Sequence, residues 1–209
     1  MPIEKAPKKQ IVVNEKSDRE HTLAGCATLE GTSLHTGQKV TLTIKPAPEG
    51  HGFKFRRIDL PDQPIIDADV NRVEQVERAT TLASGSVRVH TVEHVISALT
   101  GMNVDNALIE MDANEPPIGD GSAQPFVELI KKAGLEQQKA RRKIWEIREP
   151  VHFDNNKGSH ITIVPYDGFR VSVTNLSRHG KFTQYFSSEV TPELYENEKL
   201  RARLAAQLE

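Results

Sequence analysis

From His21 onward, short stretches place an apolar residue at every second position: Val40, Leu42 and Ile44, then Phe53 and Phe55, with Gly and Pro between the stretches. A period of two turns one face inward and one toward water, so these stretches are predicted to be strands. The spacing then changes. Val92, Val95, Ile96 and Leu99 fall on one side of a helix that Gly101 would end, and Phe126, Val127, Leu129, Ile130 and Ala133 repeat the pattern, opened by Ser122 and stopped by Gly134. Between the helices, Asn106 to Met111 reads as a further strand. The order strands, helix, strand, helix predicts an α+β domain over residues 21–138, a small sheet packed on helices.

The flanks read differently. Residues 1–20 are mostly charged without a sustained period, and are expected to be a flexible extension with one weak strand at Gln10 to Val13. The basic run Lys139 to Lys143 is read as a solvated linker. Strand patterns resume at Ile144 to Ile147, Ile161 to Val164 and Phe169 to Val173, so residues 139–198 would be part of a second, similar α+β unit. Thr191 followed by Pro192 can open a helix, with Leu194, Leu200, Leu204 and Leu208 along one side, and residues 199–209 would form a terminal helix of uncertain origin.

Charge and composition narrow the functional classes. The 209 residues carry 27 Lys and Arg against 29 Asp and Glu, a formal charge of -2, which is too balanced to gather nucleic acid or anionic lipid. The longest apolar runs are a few residues, far below the ~20 needed to cross a bilayer, and the Met1 end lacks the apolar core of a signal sequence. A single cysteine, Cys26, rules out an intramolecular disulfide and fits a reducing cytoplasm. Any metal must therefore be held by His and carboxylates.

One segment carries chemistry. In His90-Thr91-Val92-Glu93-His94, at ~100° per residue, the apolar positions of the first helix share one side while Glu93 and His94 fall on another. An imidazole in the first helical turns stays neutral beside the positive end of the helix dipole and can ligate Zn²⁺, with the neighbouring carboxylate as a base. Zinc hydrolysis needs about three protein ligands, one open position and a proton acceptor. One ligand, His94, and one base, Glu93, are visible. Taken alone, such a pair reads as a solvated polar face. The run His90-x-x-Glu93-His94 also matches the inverted zincin pattern, which requires His90 inside the helix, whereas Ser86 to Val89 has strand character and would leave His90 at a strand end.

Four motifs occur in order: Leu34-His35-Thr36-Gly37, Thr91-Val92-Glu93-His94, Asp105-Asn106, and Asp120-Gly121-Ser122 leading to Pro125-Phe126. In that order and spacing they resemble the UDP-3-O-acyl-N-acetylglucosamine deacetylase family of lipid A biosynthesis, well over His21 to Leu135 and loosely over His152 to Glu198. The resemblance implies two similar α+β domains with the active site between them, and zinc-dependent hydrolysis in the cytoplasm. The substrate implied is a UDP-linked acylated amino sugar, whose acetamide is cleaved to acetate and the free amine. It assigns His94 as a metal ligand, Glu93 as the general base and His35 to the site. The Asp120-Gly121-Ser122 stretch is read structurally, as a tight turn with Ser122 capping the helix. The family's second-domain ligands, a His-Lys pair with an Asp four residues after the His, have no counterpart: none of the eight His residues (21, 35, 51, 90, 94, 152, 160 and 179) is followed by Asp at that spacing. His152, His160 and His179 are read as surface or hydrogen-bonded residues instead. The chain is therefore expected to be incomplete for turnover, either part of a longer deacetylase or a noncatalytic homologue that binds a nucleotide sugar or a partner. No oligomeric state is assigned.

Overall fold

A computed structural model of the chain describes residues 11–76, 79–176 and 183–197. His179 and residues 199–209, with the leucine pattern proposed for a terminal helix, lie outside the described residues. The architecture is mixed α+β and divides into two compact units, one of Arg19–Ala140 with Pro192–Glu209, the other of Met1–Asp18 with Arg141–Thr191.

The first of these units is built on a five-stranded sheet. Strand β1 (Ile11–Leu23) leads into β2 (Ala27–Thr32), β3 (Lys39–Pro46), β4 (Phe53–Arg57) and β5 (Ile65–Asp67). A 3₁₀ turn at Val70–Arg72 precedes three short strands, β6 (Val73–Gln75), β7 (Thr81–Ser84) and β8 (Val87–Val89), which form a separate antiparallel sheet. Helix α1 (Glu93–Gly101), strand β9 (Ala107–Met111) and helix α2 (Gln124–Ala133) follow. The large sheet runs β2-β3-β9-β4-β5, antiparallel except for β4 beside β9.

Period-two alternation is realised in the register. Leu42 faces Met111, and Ile44 and Phe55 both face Ile109, all fully buried, while Lys39, Thr41 and Thr43 between them are less buried. Against this layer α2 lies on β2 and β3 and contributes Phe126, Val127 and Ile130; α1 lies on α2 and contributes Val95, Ala98 and Leu99. Removing each such large side chain from water stabilises the fold by about 1.5–3 kcal/mol, which is why short helices of nine and ten residues persist here. The two sheets are joined by Arg57 on β4, whose guanidinium donates to both carboxylate oxygens of Asp59 (2.8 and 2.6 Å) and to the carbonyl of Arg88 on β8 (2.8 Å).

Strand β10 (Leu135–Ile147) pairs with β1 in a two-stranded ribbon. Lys139 to Lys143 is therefore strand, not linker. Its side chains alternate between exposed and half-buried, which charged residues tolerate on a ribbon whose backbone is paired. Residues 11–20, expected to be an extension with one weak strand, lie within β1 for the same reason. Helix α3 (Pro192–Asn197) packs on α1.

In the other unit, β11 (Val151–Asp154) pairs with β12 (His160–Ile163), and β13 (Arg170–Leu176) with β14 (Thr183–Glu189), both antiparallel. The β11–β12 turn is organised by Asp154, which accepts the Asn156 N–H, and Asn155, which accepts those of Lys157 and Ser159. His152 and His160 lie exposed on this hairpin, and His152 Nδ1 is hydrogen-bonded to Thr162 Oγ1 at 2.7 Å.

Candidate active site at the start of helix α1

Helix α1 begins at Glu93, after β8 has ended at Val89. His90 lies outside the helix, its N–H donating to the Asn114 carbonyl (2.8 Å) and its Nδ1 bonded to Thr81 Oγ1 (2.9 Å). The inverted zincin geometry, with two imidazoles one helical turn apart, is absent from this segment. The chain changes direction at Thr91, a β-branched residue held at φ +54. That conformation costs a non-glycine residue of the order of 1–3 kcal/mol and survives only where its surroundings enforce it.

Glu93 and His94 are consecutive and half-buried. Glu93 Oε1 accepts the backbone N–H of Thr80. Glu93 Oε2 and His94 Nε2 are shut off from water without any hydrogen-bond partner. Leaving such atoms unpaired costs about 1–3 kcal/mol each, so two on adjacent residues mark a place where the fold reserves lone pairs for something else. Burial lowers the His94 imidazole below its ordinary pKa, against the opposite pull of the Glu93 and Asp120 carboxylates. A neutral imidazole with a free Nε2 lone pair is the form that ligates a metal. The residues thus fit zinc as one ligand and one base, while no group of three His, Cys, Asp or Glu side chains able to hold a metal occurs among the described residues.

His35 lies on the turn after β2, with its side chain exposed. This turn is fixed by a residue that the reading of the sequence passed over. Glu115, fully buried at 0 % exposure, accepts the N–H of His35 at both carboxylate oxygens (3.2 and 3.1 Å), the N–H of Thr36 at Oε2 (3.0 Å) and the hydroxyl of Thr91 at Oε1 (2.8 Å). Its carbonyl accepts the Ser33 hydroxyl (3.0 Å), and Ile118 N–H donates to the Thr32 carbonyl (3.0 Å). Burial alone would raise the Glu115 pKa, but the bonds from Thr91, Thr36 and His35 outweigh it and hold the carboxyl below the usual glutamate range. The signal available in the sequence was a lone acid before Pro116-Pro117, where neither periodicity nor a motif applies.

The Asp120-Gly121-Ser122 stretch forms a turn, as expected, but Ser122 is not the helix cap. Asp120 Oδ1 accepts the Ser122 N–H (3.0 Å) and hydroxyl (2.7 Å), Ser122 Oγ accepts the Gln124 N–H (3.1 Å), and Ala123 occupies the cap position. Gly119, at φ +58, precedes the turn, and a Cβ there would lie 2.6 Å from Pro125 Cγ.

The family profile of UDP-3-O-acyl N-acetylglycosamine deacetylase (LpxC) matches residues 20–207. A UDP-3-O-acyl-N-acetylglucosamine deacetylase of Methylococcus capsulatus is 40 % identical over 189 residues, covering 88 % of this chain and 62 % of its own length. The enzyme of the same name from Pseudomonas entomophila is 47 % identical over 155 residues, covering 74 % of this chain and 50 % of its own. The chain thus spans between half and two thirds of the length of these relatives, and it belongs to the UDP-3-O-acyl N-acetylglycosamine deacetylase family.

Proposed function

We propose that this chain takes part in hydrolysing the acetamide of a UDP-linked 3-O-acylated N-acetylglucosamine to acetate and the free amine, in the cytoplasm, as a step of lipid A biosynthesis. The observation that carries the reading is the pair of buried, unpartnered atoms, Glu93 Oε2 and His94 Nε2, on consecutive residues of a chain whose relatives are named deacetylases. His94 would hold Zn²⁺ through Nε2. When bound, the metal supplies Lewis acidity, which makes water more acidic and polarises a carbonyl. Glu93 Oε2 takes the proton of the water that attacks the acetamide carbon. As the C–N bond breaks, that proton goes to the departing nitrogen, leaving amine and acetate. Glu93 Oε1 remains on the Thr80 N–H, which fixes the carboxylate plane during the transfer. His35, whose side chain is exposed on the turn after β2, would meet the substrate.

Acetate release from the UDP-linked substrate, measured with added zinc for a protein that carries this chain together with the second-domain ligands and for its Glu93→Gln variant, tests the proposal. A loss of roughly 10²- to 10⁴-fold in Glu93→Gln is expected for a general base. Equal rates in the two proteins would overturn the assignment. A noncatalytic sugar-nucleotide-binding module is the second reading, favoured by the lack of a three-ligand cluster among the described residues. It predicts substrate binding without acetate and no zinc-dependent change at the His94 imidazole.

A further inference from the structure

The successive N–H groups of His35 and Thr36 point at a single acceptor, an arrangement that forms a concave anion-binding nest in the backbone. Here the anion is supplied by the protein itself, from Glu115. The same carboxylate takes the hydroxyl of Thr91, the strained step two residues ahead of Glu93. The preceding residue, Asn114, accepts the N–H of His90. Residues 114–115 are thus clamped between two otherwise separate stretches, the 33–37 turn and the 90–91 step. A carboxylate accepts from several donors at once, and three converge on Glu115, the His35 N–H shared between both oxygens, so a neutral or shorter side chain leaves donors unmet.

We propose that Glu115 is a positioning residue, the tie that holds the His35 turn in register with the Glu93-His94 helix start. Its hydrogen bonds go to Thr91 and the 35–36 turn, and it acts through them. Its role in catalysis rests on the deacetylation reading above, but the tie itself does not. Two features separate it from ordinary core packing. Its bonds join loops rather than core strands, and one of its partners sits in a backbone conformation that needs external support.

The test is amide hydrogen exchange by NMR on the full chain, comparing wild type, Glu115→Gln and the milder Thr91→Val. Gln keeps the shape but turns one acceptor into a donor facing donors. Exchange at the His35 and Thr36 amides should quicken by about tenfold or more in Glu115→Gln and by less in Thr91→Val, while the amides of β3 and β9 keep their wild-type protection. With substrate and zinc, in the protein that carries the second-domain ligands, kcat for acetate release should fall about tenfold in Glu115→Gln with KM within a factor of about two. Unchanged exchange at residues 35 and 36 in both folded variants overturns the tie, as does acceleration spread evenly through the core. If Glu115→Gln fails to fold, Thr91→Val decides on the same two amides. Loosened amides with wild-type kcat overturn the catalytic role alone. No acetate from the wild-type protein that carries the second-domain ligands, with the amides loosened as expected, overturns the deacetylation reading and leaves the tie standing.

Discussion

Burying a carboxylate completely is costly unless its lone pairs are filled, and at Glu115 backbone and hydroxyl donors fill them without a cation. The consequence for pH follows from the sign of the shift. The folded pKa lies below the ordinary 4.5, so the stabilisation is complete above that value and is lost as the pH falls through the folded pKa. Asp59, held low chiefly by its hydrogen bond from Arg57, and Asp67, held low by Lys54, act in the same direction. Chemical denaturation at pH values from 5 downward should therefore show falling stability. In Glu115→Gln the slope should be shallower by up to one proton, about 1.4 kcal/mol per pH unit. An identical slope in the variant would mean that the carboxylate titrates alike in both states. At this scale the motifs singled out Glu93, His94 and His35 as candidates, and the structure adds that Glu93 Oε2 and His94 Nε2 are buried without partners while the His35 side chain is exposed. The sequence was silent at Glu115, because a buried acid between loops has no period, and its partners are backbone groups nearly 80 residues away.

Elements tell a complementary story. Both helices and strand β9 follow from hydrophobic spacing, since each must turn one face to the shared core around Ile109 and Phe55. Of the β1–β10 ribbon only the ends at Gln10 to Val13 and Ile144 to Ile147 read as strand, because a strand exposed along much of its length needs no apolar alternation, and the Lys and Arg side chains of β10 look like those of a linker. The brief helix α3 is docked by tertiary contacts rather than by its own propensity. The Tyr195 ring covers Gly101 of α1, its hydroxyl bonds Ser97 Oγ (2.5 Å), and Glu196 pairs with Lys131 of α2. A Cβ on Gly101 would lie 2.5 Å from Tyr195 Cδ1, so Gly101→Ala should lower stability by about 1–3 kcal/mol, read as a lower urea midpoint. Tyr195→Phe keeps the ring and loses one hydrogen bond, and should cost only about 1 kcal/mol. Equal costs for the two would show that the ring does not occupy that space in solution.

Across the molecule, burial is unevenly shared. The apolar core is concentrated in the unit around the five-stranded sheet, whereas the hairpins β11–β12 and β13–β14 leave Phe153, Ile161, Phe169 and Phe186 exposed. Native-state hydrogen exchange should accordingly protect the amides of β3, β9 and α2 by several orders of magnitude more than those of the hairpins. Trp145, the sole tryptophan, is 72 % exposed on β10, so its fluorescence should report a solvated indole and change little when the core unfolds. A cooperative fluorescence transition coincident with loss of helical signal would contradict this division. No helix among the described residues is long and apolar enough to cross a membrane.

The docking of Tyr195 has a temporal meaning as well. The unit that houses Glu93 and His94 is assembled from two separated stretches of chain, Arg19–Ala140 and the part that starts at Pro192, with Arg141–Thr191 between them. A ribosome making this polypeptide in order releases the helix bearing Glu93 long before the aromatic ring that closes its outer flank, 98 positions downstream of Ser97. During that interval the nascent helix has a bare groove at Gly101, and the tyrosine that fills it arrives only after the inserted hairpins have emerged.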